Sequence, residues 1–181
     1  VSLRFHYVVP GDLLKKLERE AARLFDAASS SQKESMCDHF FNFCVTAHSI
    51  RDWVINSEGL KNKDLQNFYE RCNKFQELAA CRDIANANKH FALEENRNSV
   101  AKGAVVSRSS VLDVFEDANG RLFASEPRET IELSVVIDGR PPQESHQFSR
   151  LVINAWEEIF KEFGISFQSI YPSFHETSSN I

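Results

Sequence analysis

The sequence predicts an α+β fold: an N-terminal helical bundle of three to four helices, then a three-stranded antiparallel meander and a long C-terminal helix. Three observations carry this. Up to about residue 91 apolar side chains recur at three- and four-residue intervals, the spacing of one helix face. Between about residues 100 and 137 the period shortens to two around an Asn119-Gly120 hairpin signal. From about residue 143 the helical spacing returns.

A short strand is predicted over residues 1–9, where β-branched and aromatic residues loosely alternate, and Pro10-Gly11-Asp12 ends it with Asp12 as the expected helix N-cap. Leu13, Leu14, Leu17, Ala21, Leu24 and Phe25 then mark one face of a first helix reaching Ala28. Ser29-Ser30-Ser31 breaks it, and Ser31-Gln32-Lys33-Glu34 has the pattern of a capping box opening a second helix over about 33–56. Met36, Phe40, Phe43, Ala47, Ile50 and Val54 form its stripe. Phe41, Val45 and Trp53 lie outside that stripe, which predicts a central helix covered on more than one side.

Gly59 closes the connection to a third helix, carried by Leu65, Phe68, Cys72, Phe75, Leu78 and Ala79. It is expected to pause near Ala80 before residues 81–91 continue helically. The meander follows: a first strand through Val114 and Phe115, a return over residues 121–125, and a third strand on Ile131, Leu133, Val135 and Ile137. After Pro141-Pro142 a last helix over about 143–163 presents Phe148, Leu151, Val152, Ala155, Trp156, Ile159, Phe160 and Phe163, and Gly164 stops it. Three strands and one helix bury little alone, so the meander is expected to pack on the helices within a single domain, 1–181. Its helical half is about 1–98, the meander with its helix about 99–171, and a loose tail 172–181.

With 21 basic against 26 acidic residues the formal charge is −5, so the molecule as a whole repels a phosphate backbone and any nucleic-acid site must be local. No stretch reaches the roughly 18 apolar residues of a membrane span, and no secretory signal opens the chain, so a cytoplasmic protein without a membrane partner is expected. Cys37, Cys44, Cys72 and Cys81 contain no Cys-x-x-Cys pair and read as buried free thiols. Cys37, Cys44 and His48 fall on one helical face, a stripe that reads as core packing before it reads as a zinc site. No cofactor or metal is predicted. Walker loops, nucleophile elbows, His-Glu-x-x-His helices and dinucleotide fingerprints are absent from the sequence.

The chemistry-bearing stretch is residues 81–90. Arg82, Asn86 and His90 are spaced i, i+4 and i+8, with Asp83 and Lys89 beside that line, so a cation, an amide, an imidazole and an acid share one broad helical face. His48 and Asp52, themselves i and i+4, interrupt an otherwise apolar face of the second helix around Phe41 and Val45 and are expected to approach this segment. In a catalytic reading His90 is the general acid or base, Arg82 and Lys89 bind a phosphate or steady its developing charge, and Asn86 orients a hydroxyl. In a structural reading Arg82 or Lys89 bridges Asp52 or Asp83, Asn86 bonds a loop carbonyl, and His90 caps the helix C-terminus. Arg51-Asp52-Trp53 reads as a partner-binding edge or, for Trp53, as core.

The Arg82-Asp83 start and His90 end of this segment resemble the motif of the HEPN superfamily, nucleotide-binding helical domains, over about residues 11–91. The resemblance implies metal-independent RNA cleavage by transesterification and a homodimer that brings two such helices together. The same stretch also resembles an Asn-x-x-Lys-His segment found in uncharacterised bacterial proteins, which implies no activity. The sequence thus leaves two functions open. One is a HEPN-like RNA- or nucleotide-directed domain. The other is a non-catalytic interaction or scaffold protein of a bacterial defence or toxin-antitoxin assembly, with a protein partner and a purely structural helix.

Overall fold

The computed structural model describes residues 6–90 and 99–170, the side chains of 88–90 excepted. Five helices, α1 (Pro10–Ser29), α2 (Lys33–Ser57), α3 (Asn62–Asn73), α4 (Gln76–His90) and α5 (Ser145–Glu162), combine with strands β1 (Ala101–Val111), β2 (Val114–Glu116), β3 (Leu122–Ala124), β4 (Arg128–Ile137) and β5 (Gln143–Glu144). This is the α+β arrangement read from the periodicity, with the long C-terminal helix in place.

The helix starts differ from the sequence expectation. α1 begins at Pro10 with Val9 as its cap residue, and Asp12 sits one turn inside. There its Oδ2 accepts the backbone N–H groups of Val8 and Val9 at 2.8 and 3.1 Å. The carboxylate reaches backwards, as the acidic member of a capping box does, because Pro10 occupies the first helical position. Its pKa is lowered by those two N–H donors, Val8 first. Ser31 does not cap α2. It takes a positive φ of 53°, and its Oγ donates to the Glu129 carbonyl at 2.9 Å, tying the α1–α2 turn to β4. The pause between the third helix and the polar segment falls at Lys74 and Phe75, not near Ala80, so α4 is an independent helix. The strand expected over 1–9 lies partly outside the described residues, and 6–9 are not in a strand.

The sheet is three-stranded and antiparallel in the order β1-β4-β5. Its first strand pairs with β4, Val106 opposite Leu133 and Val111 opposite Arg128, and the Asn119-Gly120 turn closes a separate hairpin of β2 and β3. The return strand of that hairpin is therefore not the second strand of the sheet: the hairpin is an insertion at the far end of the β1–β4 ribbon. Two-residue alternation shows in burial only at the near end of β4, where Leu133, Val135 and Ile137 enter the core and the residues between them do not.

One hydrophobic cluster holds residues from all five helices except that α3 gives only Phe68 and Cys72, and it takes Ala101, Leu133, Val135 and Ile137 from the sheet. The meander thus packs on the helices. α2 contributes Met36, Phe40, Phe43, Cys44, Ala47, Ile50 and Val54, all at most 4% exposed, as befits the central helix. Each large apolar side chain buried there contributes about 1.5–3 kcal/mol. The stretch after α5 crosses the start of α1. A Cβ on Gly11 would lie 2.9 Å from the Ser166 carbonyl oxygen, so glycine permits the approach. Buried Glu18 then holds Ser169 Oγ at 2.5 Å and the Ile170 N–H at 3.0 Å. The four cysteines are free, Cys37 partly exposed and the rest buried.

Candidate functional site

α2, α3, α4 and α5 meet around a half-open recess with a cavity volume of about 20 Å³. α2 supplies Ala47, His48 and Arg51, and α4 supplies Leu78, Ala79 and Arg82. Both sets have the spacing i, i+1 and i+4, which places each on one side of its helix. The alanine in each set leaves the space that a longer side chain would fill. Cys72 and Asn73 come from the end of α3, and Trp156 of α5 completes the lining.

Two arginines line the recess, each beside a carboxylate. Arg51 lies with its guanidinium 5.5 Å from the Tyr69 ring centroid. Its nearest carboxylate, Asp52 Oδ1, is 3.6 Å from Nε, and that side chain is 63% exposed, so water screens the pair. Arg82 Nε and Nη2 both donate to Asp83 Oδ1, at 3.0 and 2.9 Å. Cys72 records the local field: burial pushes its thiol up to about 12, and the positive charges of Arg51 and then Arg71 oppose that rise. A thiol held protonated this firmly is not a nucleophile near neutrality. Among the described residues two buried donors of the lining, Arg51 Nε and Trp156 Nε1, have no hydrogen-bond partner. Trp156 is only 2% exposed, and an unpaired N–H at that depth costs about 1–3 kcal/mol.

Of the residues proposed from sequence, Arg82 and His48 line this recess together. Asn86, one turn further along α4, is half-buried and is not part of the lining. Asp52 is not part of the lining, although its exposed carboxylate lies 3.6 Å from Arg51 Nε, and its backbone carbonyl accepts Asn56 Nδ2 at 2.7 Å. The side chains of Lys89 and His90 lie outside the described residues, although the α4 backbone runs to His90.

Asp83 has a structural task. It is 6% exposed, and its Oδ2 accepts the N–H groups of Val100 and Ala101 at 2.7 and 3.3 Å, fixing the start of β1 on α4. On the inner side of α4, Cys81 is fully buried and hydrogen-bonded to Cys44. Burial, then that neighbour, hold its pKa well above the ordinary thiol value.

Sequence reasoning missed Arg51 as a site residue, although its i+3 spacing from His48 was a usable signal. Asn73 and Trp156 carried no such signal, because only helix packing brings them here. No group of His, Cys, Asp and Glu among the described residues has the arrangement of a metal site, and no helix among them is long and apolar enough to cross a membrane. No family model, curated protein or solved structure matches the chain.

Proposed function

We propose that this chain is an RNA- or nucleotide-directed domain that cleaves phosphodiesters by transesterification, with Arg82 as the charge-stabilising group. The observation that supports this reading is that Arg82 and His48 line one recess, from helices that packing alone brings together. His90, the imidazole expected from sequence, ends α4, and His48 is a second candidate imidazole, on the recess lining itself. In this scheme an imidazole takes the proton of a ribose 2′-hydroxyl and the 2′-oxygen forms a bond to phosphorus. Arg82 steadies the extra charge on the phosphoryl oxygens while the bond to the 5′-oxygen breaks. The 5′-oxygen leaves with a proton, and a 2′,3′-cyclic phosphate remains. A homodimer placing two α4 segments together belongs to the same reading.

The Asp83 contacts favour a second reading, in which residues 81–90 are structural and the protein is a non-catalytic scaffold. An RNA degradation assay run beside melting curves separates the two. The catalytic reading expects His48→Ala and Arg82→Ala each to lower the cleavage rate by about a hundredfold or more, within the range for removal of an acid-base or oxyanion group, at nearly unchanged melting temperature. His90→Ala tests the imidazole expected from sequence. A folded wild-type protein that leaves RNA intact defeats the catalytic reading, and sedimentation of the wild type checks the dimer.

A further inference from the structure

The long edge of the sheet lies open. In the order β1-β4-β5, β1 has β4 on one side and no second strand neighbour among the described residues, so alternate residues between Gly103 and Val111 turn backbone N–H and C=O groups outward. No proline interrupts this edge, and its one shift of register lies at the Ala101–Gly103 end. On the helix side of the sheet Ala104, opposite buried Val135, is itself exposed, so the helices stop short of β1 and leave room beside it. The hairpin beyond is apolar on both faces: Phe115 and Phe123 are paired on one side, Val114 and Leu122 lie on the other, and all four are 48–71% exposed. With Val105, Val111 and Leu112 these make seven side chains of about 150–200 Å² each, roughly half exposed, which present on the order of 600 Å² of apolar surface. That is the upper end of what a monomer shows and most of the roughly 800 Å² that one partner gives to a stable interface.

We propose that this edge is an interface with a second copy of the chain, in which two β1 strands pair antiparallel about a two-fold axis at Val106 and join the two sheets into one. Charge selects the occupant. From residue 99 to 111 the only charged side chains are Lys102 and Arg108, both basic, whereas residues 112–127 carry Asp113, Glu116, Asp117 and Glu126 against Arg121 alone. Antiparallel pairing of identical strands sets the Val111 end of each beside the Ala101 end of the other, so the acidic hairpin of one copy comes next to Lys102 of the second. Length and charge together set the register. Val106 is the middle residue of β1, so an axis there pairs the whole strand, with Lys102 opposite Ser110, Arg108 opposite Ala104 and Val105 opposite Ser107. An axis one residue earlier would set Lys102 against Arg108, and like charges directly opposite destabilise a strand pair. This interface does not rest on the cleavage scheme, whose dimer joins two α4 segments.

Sedimentation equilibrium of the full chain at fixed ionic strength tests it, with circular dichroism to check that each variant is folded. The wild type should be a dimer at about 100 μM, a concentration at which an interface of this size is populated. Val105→Lys sets a charge beside the axis in both copies, the device by which natural sheet edges stay unpaired, and should weaken association by about tenfold or more. Val105 is exposed, so the single copy keeps its stability. Replacing residues 112–127 with an Asn-Gly turn removes most of the apolar surface and the acidic arm, and should weaken association by about tenfold as well. The register has its own readout: a Val105→Cys copy mixed with a Ser107→Cys copy should give more disulfide-linked dimer on mild oxidation than either copy alone. A monomeric wild type overturns the proposal and leaves the edge to a strand of another protein. So does a dimer that Val105→Lys leaves intact, which places the contact on another surface such as α4. A dimer lost in Val105→Lys but inert toward RNA defeats only the catalytic reading.

Discussion

The carboxylate of Asp83 holds Arg82 on one oxygen and, on the other, Ser99 Oγ and the N–H groups of Val100 and Ala101 where β1 begins. Buried at 6% exposure, it leaves two main-chain donors and a guanidinium without an acceptor when removed. Asp83→Ala is therefore expected to cost about 2–4 kcal/mol in urea unfolding, since each buried group left unpaired costs about 1–3 kcal/mol. A loss under about 0.5 kcal/mol would mean that β1 is held elsewhere. The adjacent arginine has the opposite exposure: Arg82 is 34% accessible at its side chain and reaches the recess, so its truncation should be read in binding or turnover before stability. One helix thus carries a structural acid and a recess-lining cation at consecutive positions, which is why the sequence left both readings of residues 81–90 open.

At the scale of elements, helix termini are where the pattern-based reading moved. Asp12 was expected as a cap from its position after Pro10-Gly11, but proline supplies the first helical residue and the carboxylate serves from the first turn. Its lowered pKa gives a sign-definite test. A carboxylate whose folded pKa lies below its unfolded value of about 3.9 stabilises the fold above that pH, and the contribution fades as pH falls through the folded value. Asp12→Asn should melt below wild type at pH 7, by about the 1 kcal/mol typical of a side-chain cap or less given its exposure, and the gap should close below about pH 4. A gap that persists at pH 2 would assign the effect to something other than the charge. Apolar periodicity located the helices themselves, because a stripe at helical spacing has only one way to be buried. Strand pairing was less accessible: the Asn119-Gly120 turn is a local signal, whereas the partnership of β1 with β4 depends on which edges remain once the hairpin has closed on itself.

Across the whole molecule, burial falls off along the β1–β4 ribbon. Leu133, Val135 and Ile137 are inside, while Val114, Phe115, Leu122 and Phe123 in the hairpin are all 48% exposed or more. Phe115 and Phe123 stack on each other with centroids 5.6 Å apart, so the hairpin's aromatic contact is internal to it. Replacing residues 112–127 with a two-residue Asn-Gly turn joins Val111 to its register partner Arg128. The melting temperature should change by no more than about 2 °C, the scale of a surface change in a chain of this size. A loss of about 10 °C would show that the hairpin supports the core through contacts beyond its own pair. The arginine-lined recess, by contrast, depends on the packed body, since its walls come from four helices.

The sequence by itself determined the fold class, the long C-terminal helix and the candidacy of Arg82 and His48, because hydrophobic period and local polarity are properties of neighbouring residues. Tertiary structure decided the sheet order, the inward task of Asp83, the outward turn of Asp52 and the convergence of Arg51, Asn73 and Trp156 on one recess. These depend on which helix faces meet and how deeply, and spacing along a single helix does not encode the helix that will pack against it.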